Sequence, residues 1–300
     1  MDYVFIDDSA IALGGTALTL EAITEPFRDQ VDFVKTSELT LQHLQFKKPK
    51  IWILGNITAL TAQSHEALVQ LMNRESFVKI EFDYGYCKFR GEVPHQRLGG
   101  TLCDCPSTKD AASAAFSQLY SLIKQRALHI FYMSEEQRNF HLCKVIGVEN
   151  ANKTSVLSSC FLKKDLEKME AFRQRPKNGK YAIIDGLGGW HTQAKGVSEA
   201  LDMAQASKLD YVLIKTKTHE ELLEKLSHFY SLIFLPIIHD TCPRITIEAK
   251  LMGVHVLTNS RSQHVYEDWW VNKSAEESQA YLEERPRWLL NKLKGLHDEG

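Results

Sequence analysis

The sequence predicts an α/β protein made of two doubly wound domains in series. Three observations carry that expectation. Short apolar runs alternate with helix-like stretches along most of the chain. The alternation breaks over residues 163–180, where Lys163, Lys164, Arg173, Arg175, Pro176, Lys177 and Gly179 cluster as in a hinge. It then restarts in the same order. Strands that alternate with helices imply a parallel sheet covered on both faces, so two such series imply two sheets.

In chain order, residues 3–6 read as a buried strand and 7–15 as a loop. Residues 16–24 read as a helix after the pair Gly14 and Gly15. Strands follow at 50–54, 77–82, 128–133 and 154–157, with helices at 64–73, 111–125 and from Ser134 to about residue 143. Ser134 precedes Glu135 and Glu136, as an N-cap before an acidic first turn should. Beyond the hinge, which holds one helix in its first part, strands are expected at 181–184, 211–214, 232–235 and 255–258. The helices between them are expected at 196–206, 220–226 and 245–252. A last helix rich in Glu, Lys and Leu spans 275–294. The implied domains are 1–162 and 163–274, followed by a C-terminal segment, 275–300. Open α/β sheets bind ligands at the carboxyl ends of their strands, so two such domains would face a cleft.

The chain has 300 residues, 44% hydrophobic and 25% charged, which is ordinary for a globular protein. Its net charge of −2 gives no electrostatic case for a nucleic-acid partner. No apolar run reaches the roughly 18 residues of a membrane span. Residues 1–6 lack the basic head of a signal peptide, so a cytoplasmic location is expected. In a reducing compartment the six cysteines are expected as thiols or metal ligands and not as disulfides. Cys87, His95, Cys103 and Cys105 have the chemistry of zinc ligands, but their linear spacing fits no common zinc pattern. Buried thiols, or a loop with Lys88, Arg90 and Arg97 that binds an acidic acceptor, are the readings preferred to a metal.

Residues 233–259, IFLPIIHDTCPRITIEAKLMGVHVLTN, read as strand, loop, helix, glycine turn and strand. Asp240 falls in the loop after the strand and Glu248 on the helix. A loop that enters a helix N-terminus offers N–H groups and a positive dipole end, which suits a phosphate. Arg244, in the first turn, could reinforce that charge. Glu248 is far enough along the helix to accept hydrogen bonds from sugar hydroxyls, and Gly253 ends the helix.

This pattern resembles the donor signature of the retaining glycosyltransferases of the GT-B fold, which have two Rossmann-like domains with a cleft between them and a C-terminal helix that crosses back. Asp240 matches the first acid of that signature, Glu248 and Ala249 the Glu-Ala pair, and 253–256 the glycine turn. Asp240 replaces the usual Glu, and the loop Thr241-Cys242-Pro243 replaces a more glycine-rich one. The resemblance implies a glycosyltransferase that moves a sugar from a nucleoside diphosphate sugar to a glycan, lipid-linked or small-molecule acceptor, with retention. No cofactor and no obligatory metal are expected. Domain 1–162 would hold the acceptor and 163–274 the donor.

By the same resemblance, Asp240 approaches the donor sugar, Glu248 holds the ribose, and Arg244, Thr241, Lys195 and Lys215 serve the donor, Lys195 at its diphosphate. The family's usual Arg is replaced by Gly189, within Gly186-Leu-Gly188-Gly189-Trp190, so Gly188 and Gly189 become donor-binding candidates through their amides. Gly14, Gly15, Asp8 and Ser134 are acceptor-side candidates. Asp83 is a catalytic candidate at the place where a His-Asp pair is common, with Phe82 standing for the His. The two departures leave open an inactive binding or regulatory protein of the same fold. A nicotinamide-dependent oxidoreductase is disfavoured, because no Gly-x-Gly-x-x-Gly follows either first strand.

Overall fold

The computed structural model describes residues 1–8, 15–105, 111–185, 193–241 and 243–298, with the backbone alone at 111–114. The chain forms two compact units: Met1–Cys160 with Glu284–Gly300, and Phe161–Glu283.

The first unit holds six strands: β1 (Tyr3–Asp7), β2 (Val31–Lys35), β3 (Ile51–Leu54), β4 (Phe77–Glu81), β5 (His129–Tyr132) and β6 (Thr154–Val156). All pair in parallel, in the order β2-β1-β3-β4-β5-β6. β1, β3, β4 and β5 are buried along their whole length, because helices such as Ala62–Arg74 and Ala111–Arg126 cover the sheet. β2 is absent from the elements expected from the sequence. It is an edge strand with Asp32 in its second position and Phe33 exposed at its centre, so it has no continuous apolar run to read.

Two charged residues lie inside this core. Lys79 and Glu81 are each 1% exposed and pair at 3.3 Å. Lys79 also donates to the carbonyls of Gly55 and Ile80, and Glu81 accepts from Gly85 N–H and Tyr120 O–H. Each buried charge is therefore both paired and hydrogen-bonded, as burial requires.

The second unit holds β7 (Tyr181–Ile184), β8 (Tyr211–Ile214), β9 (Ser231–Phe234) and β10 (His255–Thr258), all parallel, in the order β10-β9-β7-β8. The expected hinge helix is Lys163–Arg173. The helix Ala275–Asp298 belongs to the second unit as far as Glu283 and to the first from Glu284. In the first unit, Arg285 donates to the carbonyls of Val156 and Leu157 and so anchors the end of β6. Among the described residues no helix is long and apolar enough to cross a membrane.

Candidate functional site

The two sheets share one topological feature. In the first, β1 lies between β2 and β3, so the chain leaves β1 toward one side and returns on the other. In the second, β7 lies between β8 and β9 in the same manner. At such switch points the loops after the two central strands diverge and leave a crevice at the strands' carboxyl ends.

At the switch point of the second unit, the loops after β7 and β9 bring Lys195 to Asp240. The ammonium donates to Asp240 Oδ2 at 2.5 Å. Asp240 is 10% exposed at its side chain and Lys195 49%, so the carboxylate is held in the wall while the lysine borders solvent. The backbone of Asp240 is fixed on both sides, by donation to Arg261 O and acceptance from Gln263 N. Gly196 makes the approach possible. Its φ is +71°, and a Cβ there would lie 1.6 Å from Leu235 O, so only glycine lets the loop with Lys195 pass this close to the end of β9.

The expected helix after the loop is Arg244–Leu251, with Pro243 at its N-cap and no side-chain cap among the described residues. Glu248 lies on this helix and is 1% exposed. Oε1 meets His219 Nε2 at 2.9 Å and Arg244 Nε at 3.5 Å. The Arg244 side chain is 4% exposed. It lies over the Phe161 ring, 3.9 Å from the centroid, and supports Glu248 from the protein side.

His219 carries no signal in the sequence, because the fold brings it to Glu248 across a separation of 29 positions. The hydrogen bond to Glu248 raises the His219 pKa above its ordinary value, against the effect of burial. A raised histidine contributes stability that is complete below its unfolded pKa, about 6.5, and is lost as pH rises through the folded value. Wild type should therefore exceed His219→Gln in stability by more at pH 6 than at pH 9, measured by urea unfolding at both. An equal difference at the two pH values would refute the ion pair.

Thr241 is 2% exposed beside Asp240. Lys215, 73% exposed at its side chain, pairs with Asp185 at 2.7 Å; the two residues follow the adjacent strands β8 and β7. Gly188, Gly189 and Gly14 lie outside the described residues.

At the switch point of the first unit, Asp8 accepts from the N–H groups of Thr58 and Ala59 and from the Thr58 hydroxyl. Asp83, just past the end of β4, accepts from Asn56 Nδ2. Arg90 joins the two acids: NH2 reaches Asp8 and NH1 reaches Asp83, both at 3.2 Å. Arg90 adopts φ +62°, an uncommon conformation for a side-chain-bearing residue that the loop holds in place. In the sequence it stands only as one basic residue of a loop. Ser134 follows β5. It is fully buried, and its hydroxyl caps the helix Glu135–His141 by accepting from Gln137 N–H. Gly15 is the first residue of the helix Gly15–Thr24, and its carbonyl accepts from the Thr19 hydroxyl.

Known structures share this architecture. HepE from Anabaena, solved with UDP and glucose, aligns over 98% of this chain and 100% of its own with a TM-score of 0.56 and 11% identity. AviGT4, a glycosyltransferase involved in avilamycin A biosynthesis, aligns over 99% and 98%, with a TM-score of 0.56 and 9% identity. The catalytic domain of starch synthase IV from Arabidopsis thaliana, solved with ADP and acarbose, aligns over 98% and 94%, at 0.52 and 11%. At these identities the likeness establishes the fold, the GT-B arrangement of two Rossmann-like sheets. No protein-family model matches the chain, and no curated protein matches it in sequence.

Proposed function

We propose that this protein transfers a sugar from a nucleoside diphosphate sugar to an acceptor hydroxyl, with retention at the anomeric carbon. The observation that carries the reading is the Lys195–Asp240 pair at the switch point of the second sheet, beside the helix that bears Glu248. A diphosphate competes with Asp240 for the Lys195 ammonium and meets the positive end of the helix Arg244–Leu251. Asp240 then faces the transferred sugar. Glu248, held at Oε1 by His219 and Arg244, offers Oε2 to the ribose hydroxyls. Thr241, Lys215 and the amides of Gly188 and Gly189 complete the donor side. Asp83 serves the acceptor hydroxyl, with Asp8, Gly14, Gly15 and Ser134 on the same side. Preorganised positive charge at the departing diphosphate is the main catalytic effect, and no metal enters it.

A thermal-shift series with UDP-, GDP- and ADP-sugars tests the donor. A ligand at a hundred times its Kd stabilises the folded state by about 2.7 kcal/mol. One nucleotide-sugar is expected to raise Tm and to be turned over, by transfer or slow hydrolysis. Binding without any turnover would identify an inactive binding protein. A shift with NAD and none with any nucleotide-sugar would overturn the reading.

A further inference from the structure

The loop that carries Arg90 contains a second centre. Cys87, His95, Cys103 and Cys105 fall within one segment, 87–105, at irregular spacing, and the fold brings their ligand atoms within 4.8 Å of one another. The Sγ atoms of Cys87 and Cys105 each lie 3.3 Å from His95 Nδ1. A tetrahedral zinc site, with Zn–S near 2.3 Å and Zn–N near 2.0 Å, has ligand–ligand edges of roughly 3.5–3.8 Å. We propose that these four side chains bind one Zn²⁺ as a closed structural site.

The donor set is three thiols and one imidazole, a combination that selects zinc over the hard cations. The surroundings match such a site. Cys87, His95 and Cys105 are buried, so no open position is offered to a substrate. Phe89 N–H donates to Cys87 Sγ at 3.4 Å. The other ring nitrogen of His95, Nε2, lies 3.3 Å from Thr101 Oγ1, the outer partner that fixes a ligating imidazole with Nδ1 inward. Binding displaces the three thiol protons. The linear spacing hides the site because the chain turns between the ligands, at Arg90 and Gly91 with φ +62° and +130° and again at Gly100 with φ +74°.

The site pins the loop, and with it Arg90, against Asp8 and Asp83. It lies apart from the donor chemistry and does not depend on that assignment. The test uses the full chain, expressed with zinc and purified without chelator. Elemental analysis is expected to give about one zinc per chain, released when a mercurial blocks the thiols. Cys105→Ser should lose the zinc, whereas Cys143→Ser, at an exposed cysteine outside the cluster, should keep it. Should Cys105→Ser fail to fold, Co²⁺ added to the zinc-stripped wild type gives the second readout: the visible bands of a tetrahedral cobalt thiolate. Zinc below about a tenth of an ion per chain, together with no cobalt bands, would overturn the proposal. So would zinc retained by a folded Cys105→Ser.

Discussion

Asp240→Asn is expected to lower kcat/KM for sugar transfer by roughly 10²- to 10³-fold, the loss typical when one preorganised electrostatic group is removed from a transition state. The substitution keeps the side-chain volume and leaves the backbone bonds to Arg261 and Gln263 intact, so the fold should survive. Lys195 is half exposed, and an ion pair with an exposed partner contributes only about 0–1 kcal/mol to stability. The two effects therefore separate cleanly: a loss of about 3–4 kcal/mol in the reaction barrier against a stability change of less than about 1 kcal/mol. Steady-state kinetics and a melting curve on the same preparation read both. Full activity in Asp240→Asn would remove Asp240 from the chemistry and leave it as the restraint on Lys195. A collapse in Tm would make it a structural residue. Lys195→Met supplies the complementary measurement, because a lysine that meets the donor diphosphate should raise KM for the donor when it is lost.

Features that depend on local order are legible in the sequence. The segment 233–259 reads as strand, loop, helix, glycine turn and strand, and it forms β9, the helix Arg244–Leu251, Gly253 at φ +69° and β10. Apolar runs long enough to be buried on both faces are visible without a structure, which is why the expected positions of β1, β3, β4 and β5 agree within a residue or two. β2 escapes this reading, because an edge strand needs only one apolar face and tolerates Asp32. The partners of the acids are hidden as well. Arg90 meets Asp8 across 82 positions and His219 meets Glu248 across 29, and no periodicity encodes either meeting. Ser134 shows the opposite case. Its capping signal is legible and correct, and the cap uses the hydroxyl that the resemblance would give to an acceptor.

Glu248→Ala should produce the largest stability loss, about 3–5 kcal/mol, because it removes one member of a buried ion cluster and leaves the others in place. The Arg244 side chain is 4% exposed and lies against Phe161, so the loss of Glu248 takes a carboxylate 3.5 Å away from a buried guanidinium. His219, which Glu248 holds above its ordinary pKa, should fall back toward neutrality. Glu248→Gln separates structure from function. It keeps the shape and an acceptor oxygen, and a second change, Arg244→Met, removes the guanidinium that faces it. The double variant is expected to be more stable than Glu248→Ala, because a neutral pair replaces an incomplete ionic one. If Glu248 also accepts the ribose hydroxyls, Glu248→Gln should weaken donor binding by about tenfold or more, the cost of a hydrogen bond to a charged group. Calorimetric titration with the nucleotide that raises Tm reads that loss directly. A Glu248→Gln protein that binds the donor as wild type does, while Glu248→Ala unfolds early, would assign Glu248 to the core of the second unit and move the ribose contact elsewhere.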